Sequence, residues 1–159
     1  MKQAYALVGI LASLCHPAHG LVFRDNIKQT VNGKSLSLLP ATESADSVKL
    51  GTPVNSASSG WEFNTEGFAD DVAIITSLAS SGSLQCELGN KCKLNLGEQE
   101  GQPFIVSRID EESPLFIFQH SVTRHYVSRA FDMSLELDYH FSDSAVFELE
   151  KIEDTHSEI

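Results

Sequence analysis

Phe104-Ile105-Val106 has a counterpart on either side, Trp61-Glu62-Phe63 and Phe147-Glu148-Leu149, and the three leading rings stand 43 residues apart. Equal spacing of strand-like segments marks an internal repeat, which has to be read before any single element. Ten to thirteen residues before each ring lies a segment of one pattern, an apolar or cysteine residue, a charged residue and then leucine: Val48-Lys49-Leu50, Cys92-Lys93-Leu94 and Leu135-Glu136-Leu137. Further upstream stand Ser35-Leu36-Ser37-Leu38, Ser83-Leu84-Gln85-Cys86 and His125-Tyr126-Val127-Ser128. Each unit opens on a further strand, near Ile27-Lys28-Gln29-Thr30, Ala73-Ile74-Ile75-Thr76 and Phe116-Ile117-Phe118-Gln119. Each unit therefore holds four short strands. Period-two alternation broken by turn residues, as in Val31-Asn32-Gly33-Lys34 and Ser80-Ser81-Gly82, argues strand over helix.

Residues 1–20 precede the repeat. Lys2, the apolar run from Ala4 to Leu14 and the small residues Ala18 and Gly20 have the layout of a secretory signal peptide. The run is too short to span a bilayer. The sequence thus predicts a leader over 1–20 and a single domain over 21–159, with units at about 21–66, 67–110 and 111–153. The 139 residues after the leader suffice to bury a core without a partner, and a secreted, extracellular monomer is expected. Ten basic side chains against twenty-two acidic ones leave that part a formal charge of −12. Such a surface repels phosphate backbones and anionic headgroups, so neither nucleic acid nor membrane is an expected partner. Cys86 and Cys92 are the cysteines that remain after the leader. An oxidising export route predicts a disulfide between them, closing the turn at Gly89-Asn90 and stabilising by roughly 2 kcal/mol.

One four-stranded unit cannot cover its own apolar face, whereas three around an axis close the sheet and remove its edges. Three such units in this length resemble the β-trefoil, in which six strands close a short barrel and six form hairpins over one end. The expected fold class is all-β, a β-trefoil of three four-stranded repeats with pseudo-threefold symmetry, with Trp61, Phe104 and Phe147 as core anchors beneath the cap. Within the trefoils, the chain resembles the ricin B-type lectin repeat, whose units end in Gln-x-Trp. Gln102-Pro103-Phe104 keeps the Gln, Ser59-Gly60-Trp61 keeps the Trp, and Ala145-Val146-Phe147 keeps neither. Gly51-Thr52-Pro53-Val54-Asn55 is similar to a phrase that precedes that motif in many of these lectins. The resemblance implies a sugar held by an Asp near a unit's second strand, a stacking aromatic and an Asn or Gln. The residues after Leu36, Leu84 and Tyr126 are Ser37, Gln85 and Val127, so that Asp is missing, and Asp46 or Asp132 would have to stand in.

His120, His125, His140 and His156 form no Cys/His array, so neither a metal nor a cofactor is expected. No Gly-x-Ser-x-Gly elbow occurs, and the acid pairs Asp70-Asp71 and Asp110-Glu111-Glu112 fall at unit boundaries as solvated turns. The chain reads as a binding protein, not an enzyme. Rings with a polar edge serve both sugar stacking and protein recognition. Tyr126, Phe131, Tyr139 and Phe141 gather in the third unit beside Arg124, His125, Arg129 and His140. Alternation assigns Tyr126 to the core, and Phe131 and Tyr139 to turns. The candidate ligand-binding residues are Tyr126, Phe131, Asp132, Tyr139, Gln102 and Asp46. Two partner classes follow: extracellular glycans recognised by a lectin-like module, or a foreign protein bound as by a protease inhibitor or secreted effector. For the second, the Ala41–Ser47 loop and the Arg124 loop are the surfaces to present.

Overall fold

The computed structural model describes residues 5–6, 21–53 and 59–152. A two-residue strand β1 (Tyr5–Ala6) is followed by three sets of four strands. The first set is β2 (Val22–Val31), β3 (Lys34–Pro40), β4 (Val48–Gly51) and β5 (Trp61–Asn64). The second is β6 (Val72–Ser77), β7 (Ser83–Gln85), β8 (Lys93–Asn95) and β9 (Pro103–Arg108). The third is β10 (Leu115–His120), β11 (Tyr126–Arg129), β12 (Leu135–Asp138) and β13 (Phe147–Lys151), with one 3-10 turn at Asp143–Ala145. The expected leader lies outside the described residues apart from Tyr5–Ala6, which pairs antiparallel with Arg108 and Ser107 of β9.

The first and last strands of each set form a ring. β2 pairs with β5, β5 with β6, β6 with β9, β9 with β10, β10 with β13, and β13 returns to β2, every pair antiparallel. The remaining strands make three hairpins, β3–β4, β7–β8 and β11–β12. These hairpins bond to one another across the barrel end. The amide of Leu50 donates to Met133 O (2.9 Å), that of Leu94 to Asp46 O (2.6 Å) and that of Cys92 to Leu135 O (2.8 Å). A closed six-stranded barrel under three mutually bonded hairpins is the β-trefoil.

The core repeats with the strands. Trp61, Phe104 and Phe147 are each 0% exposed, and the Trp61 indole N–H donates to Leu38 O at 2.9 Å, tying the barrel to the first hairpin. Inside the barrel the cross-strand pairs Ile27–Leu149, Phe63–Ile75 and Val106–Phe118 meet, and all six residues are buried. Removing each such side chain from water contributes roughly 1.5–3 kcal/mol. The three apolar-charged-leucine segments all turn their outer members inward, with Val48, Leu50, Cys92, Leu94, Leu135 and Leu137 buried.

Cross-strand register also corrects the alignment of the hairpins. Leu38 faces Leu50, Leu84 faces Leu94 and Val127 faces Leu137. The equivalent residues are therefore Leu38, Leu84 and Val127, instead of Leu36, Leu84 and Tyr126. In the first unit Leu36 and Leu38 share a face, so alternation alone does not choose between them. In the third unit a one-residue shift reverses the face: Val127 fills the core and Tyr126 is left half-buried.

Candidate functional site

Three residues at or near the ends of the opening strands, Gln29, Ser77 and His120, stand two positions beyond the equivalent core residues Ile27, Ile75 and Phe118. Each anchors a neighbouring turn. Gln29 donates to Ser144 O (3.0 Å) and Val146 O (2.9 Å) and accepts from Arg129 (2.6 Å). Ser77 Oγ accepts from the Ala79 amide at 3.2 Å. Nδ1 of His120 accepts the amides of Val122 and Thr123, each at 3.2 Å. Burial, and then the neighbouring His125, push the His120 imidazole below its ordinary pKa, which disfavours the charged ring.

His120 borders a cleft of about 440 Å³ where the second and third units meet. Gln85, Cys86, Glu87, Leu88 and Gln102 line it from the second unit, and His120, Thr123 and Leu137 from the third. The Cys86–Cys92 disulfide is formed and ties down one of the lining residues, Cys86. Gln102 spans the cleft: its Oε1 accepts the Cys86 amide at 2.7 Å and its Nε2 lies 3.1 Å from His120 Nε2. A second cleft of about 420 Å³ has Gln85 in its lining together with Asp46, Lys93, Asn95, Leu96 and Gln99. The two clefts thus share Gln85. A third, of about 420 Å³, has Phe141, Asp143 and Glu148 in its lining.

The candidate residues from the sequence divide between two regions. Gln102 and Asp46 line the two adjoining clefts. Tyr126, Phe131, Asp132 and Tyr139 belong to the third-unit hairpin, where they point to different surroundings. Tyr126 packs edge-on against Phe141, with centroids 5.5 Å apart, on the face it shares with its partner Asp138. Tyr139 meets His125 edge-on at 4.3 Å on the opposite face and is 65% exposed. Phe131 stands fully exposed at the hairpin tip. Beside it the Asp132 carboxylate accepts from the Ser134 amide and hydroxyl and pairs with Lys91. The Lys91 ammonium first, and then Ser134, hold the Asp132 carboxyl well below the usual carboxylate range.

Residues following the corrected equivalents are Leu39, Gln85 and Ser128, so none of the three places carries the Asp that the lectin resemblance implies. His120, Thr123 and Leu137 were not linked to Gln102 in the sequence, because they come from the next unit and the link depends on the β9–β10 register, which sets His120 opposite Phe104. The short Ser121-Val122-Thr123 turn after His120 was the one local hint that the ring caps backbone amides.

No protein-family model matches the chain, and no curated protein matches it. Solved structures do. SeviL bound to asialo-GM1 saccharide aligns with a TM-score of 0.64 at 17% identity, covering 82% of this chain and 98% of that one. The Macrolepiota procera ricin B-like lectin in complex with lactose gives 0.63 at 12% identity, covering 81% and 95%. They share the β-trefoil with this chain. A proteinase inhibitor from Coprinopsis cinerea fits as well, at 0.62 and 15% identity over 83% and 99%. Neighbours on this fold thus include both saccharide-bound lectins and an inhibitor, and the choice between them rests on this chain's own clefts.

Proposed function

We propose that this chain is a secreted, monomeric, non-enzymatic module that recognises extracellular glycans through the two clefts flanking Gln85. The observation that carries the reading is their lining. Gln85, Asn95, Gln99 and Gln102 offer amides, Thr123 a hydroxyl, and Asp46 and Glu87 carboxylates, over apolar contacts from Leu88 and Leu96. Sugar hydroxyls both donate and accept, so mixed amide, hydroxyl and carboxylate groups around a small apolar floor match them. The acidic surface disfavours sulfated or carboxylated glycans and leaves neutral ones. Binding of the folded protein to an array of neutral oligosaccharides tests the reading. Gln85→Ala, which removes the amide shared by both clefts, is expected to weaken binding about tenfold, equivalent to ~1.4 kcal/mol. A folded protein that retains no glycan on such an array refutes it.

A protein-binding reading has one specific observation behind it. Phe131 is presented bare on a braced turn, in which the Ala130 amide donates to Ser134 O (2.8 Å) and Asp132 caps Ser134. An exposed ring on such a turn suits a hot spot in a partner's pocket. Rates of serine and cysteine proteases with and without the protein distinguish this reading; unchanged rates in both classes remove the inhibitor version.

A further inference from the structure

One edge of β9 is left unfilled by the barrel. On one side Ser107 and Arg108 pair with Ile117 and Phe116 of β10. On the other, β6 begins only at Val72, opposite Ile105, and the Val106 amide makes the last bond, donating to Asp71 O at 2.8 Å. Backbone groups alternate sides along a strand, so Arg108, two residues after Val106, turns its N–H and C=O to that same side. The first unit shows what fits there. Thr65, 43 residues before Arg108, donates its amide to Leu21 O at 2.9 Å, and β2 runs on beside Asn64. In the second unit the chain turns away at Asp71 and the place passes to β1, whose Tyr5 and Ala6 stand antiparallel opposite Arg108 and Ser107. That strand belongs to the stretch that reads as a secretory leader, and removal of the leader empties the slot.

We propose that the exported protein takes an extended, basic segment of a partner protein into this slot as a replacement strand. Unpaired edge amides bond to any extended chain, and such main-chain bonds supply affinity without fixing sequence. Charge then chooses among segments. Asp70 and Asp71 stand where β6 stops, and Asp110, Glu111 and Glu112 follow Arg108; among the described residues none of the five is in an ion pair. Arg108 itself is turned to its other neighbour, with its guanidinium 5.1 Å from the centre of the Phe116 ring and donating to Glu111 O. A strand lying along the line of β1 therefore meets carboxylates before and after its two paired residues. Lysine or arginine suits both flanks, with a neutral residue opposite Arg108. The slot shares no residue with the two clefts that contain Gln85.

The full chain with a protease site placed after Gly20, assayed before and after cutting, tests the proposal, with circular dichroism following the fold. In fluorescence anisotropy the labelled peptide Lys-Lys-Val-Thr-Lys-Lys is expected to bind the cut protein about tenfold more tightly than the uncut one. Its binding should protect the Arg108 amide from hydrogen exchange. Glu-Glu-Val-Thr-Glu-Glu should bind more weakly, and N-methylation of the valine, which removes the N–H that meets Arg108 O, should abolish binding of the basic peptide. Equal binding before and after cutting, equal binding of the N-methylated peptide, or no binding by the cut protein overturns the proposal. So does a barrel that unfolds on cutting, or an exported protein whose mass shows that Tyr5 and Ala6 are retained. None of these outcomes bears on the glycan clefts.

Discussion

Trp61→Phe isolates what the first anchor contributes beyond the two that are already phenylalanine. The indole is 0% exposed and its N–H reaches Leu38 O at 2.9 Å, so the substitution removes one hydrogen bond that crosses from barrel to cap. That loss costs about 1 kcal/mol net. Removing the five-membered ring also vacates space in a close-packed core, and the transfer and cavity terms together add roughly 1–2 kcal/mol. The expected total is about 2–3 kcal/mol, or a melting temperature lower by roughly 8 °C for a domain of this size. Urea unfolding should be followed by far-ultraviolet circular dichroism, because Trp61 is the sole tryptophan and the substitution abolishes the fluorescence probe. The denaturant slope should stay constant while the midpoint falls. A loss below about 0.5 kcal/mol would refute the reasoning, since the hydrogen bond and the packing would both then be dispensable.

Gly101→Ala should destabilise by about 1–3 kcal/mol, because its new Cβ would collide with Ile74 Cγ2 and come 3.2 Å from Ser83 Cβ; thermal melts measure this. Replacing Cys86 and Cys92 together by alanine should cost roughly 2 kcal/mol of loop-closure stabilisation, measured by urea unfolding beside the oxidised wild type. His120 has a folded pKa below its unfolded value, so the unfolded chain takes up the proton first. Stability should hold above the unfolded pKa and fall as pH drops from about 6.5 toward the folded value, with His120→Gln flattening that slope. Asp132 has the opposite ionic preference and the same outcome on acidification: its contribution is present above the unfolded carboxyl pKa and disappears as pH falls through the lower folded one. Asp132→Asn should remove that acid-range dependence from the unfolding curve.

The barrel was legible because its anchors obey two independent regularities, the 43-residue spacing of Trp61, Phe104 and Phe147 and the alternation around each. Apolar burial enforces both, so the pattern survives although no unit keeps Gln-x-Trp intact. Hairpin register was less legible. Serine occupies both Ser35 and Ser37, and Tyr126 is as plausible a core residue as Val127 until the facing Leu137 is known. Of the site, Gln102 and Asp46 could be named as polar residues near repeat motifs, but their surroundings come from other units. Gln102 meets His120 across 18 residues of chain, and Asp46 shares a cleft with Asn95 and Gln99 from the second unit. Such groupings depend on how repeats close against each other, which local periodicity does not encode.

Because β2 and β13 are hydrogen-bonded neighbours, with Asp25 opposite Lys151, the barrel has no privileged starting point around its circumference. A circular permutant that links 152 back to 21 through a short flexible bridge, and is opened in the exposed Gly67-Phe68 turn, should rebuild the same ring with its strands entering in a new order. The wild-type order forces the seam between β2 and β13 to wait for the most distant segments to meet. The permutant converts that seam into a local hairpin and hands the long search to β5 and β6, so its folding rate would report which junction limits assembly.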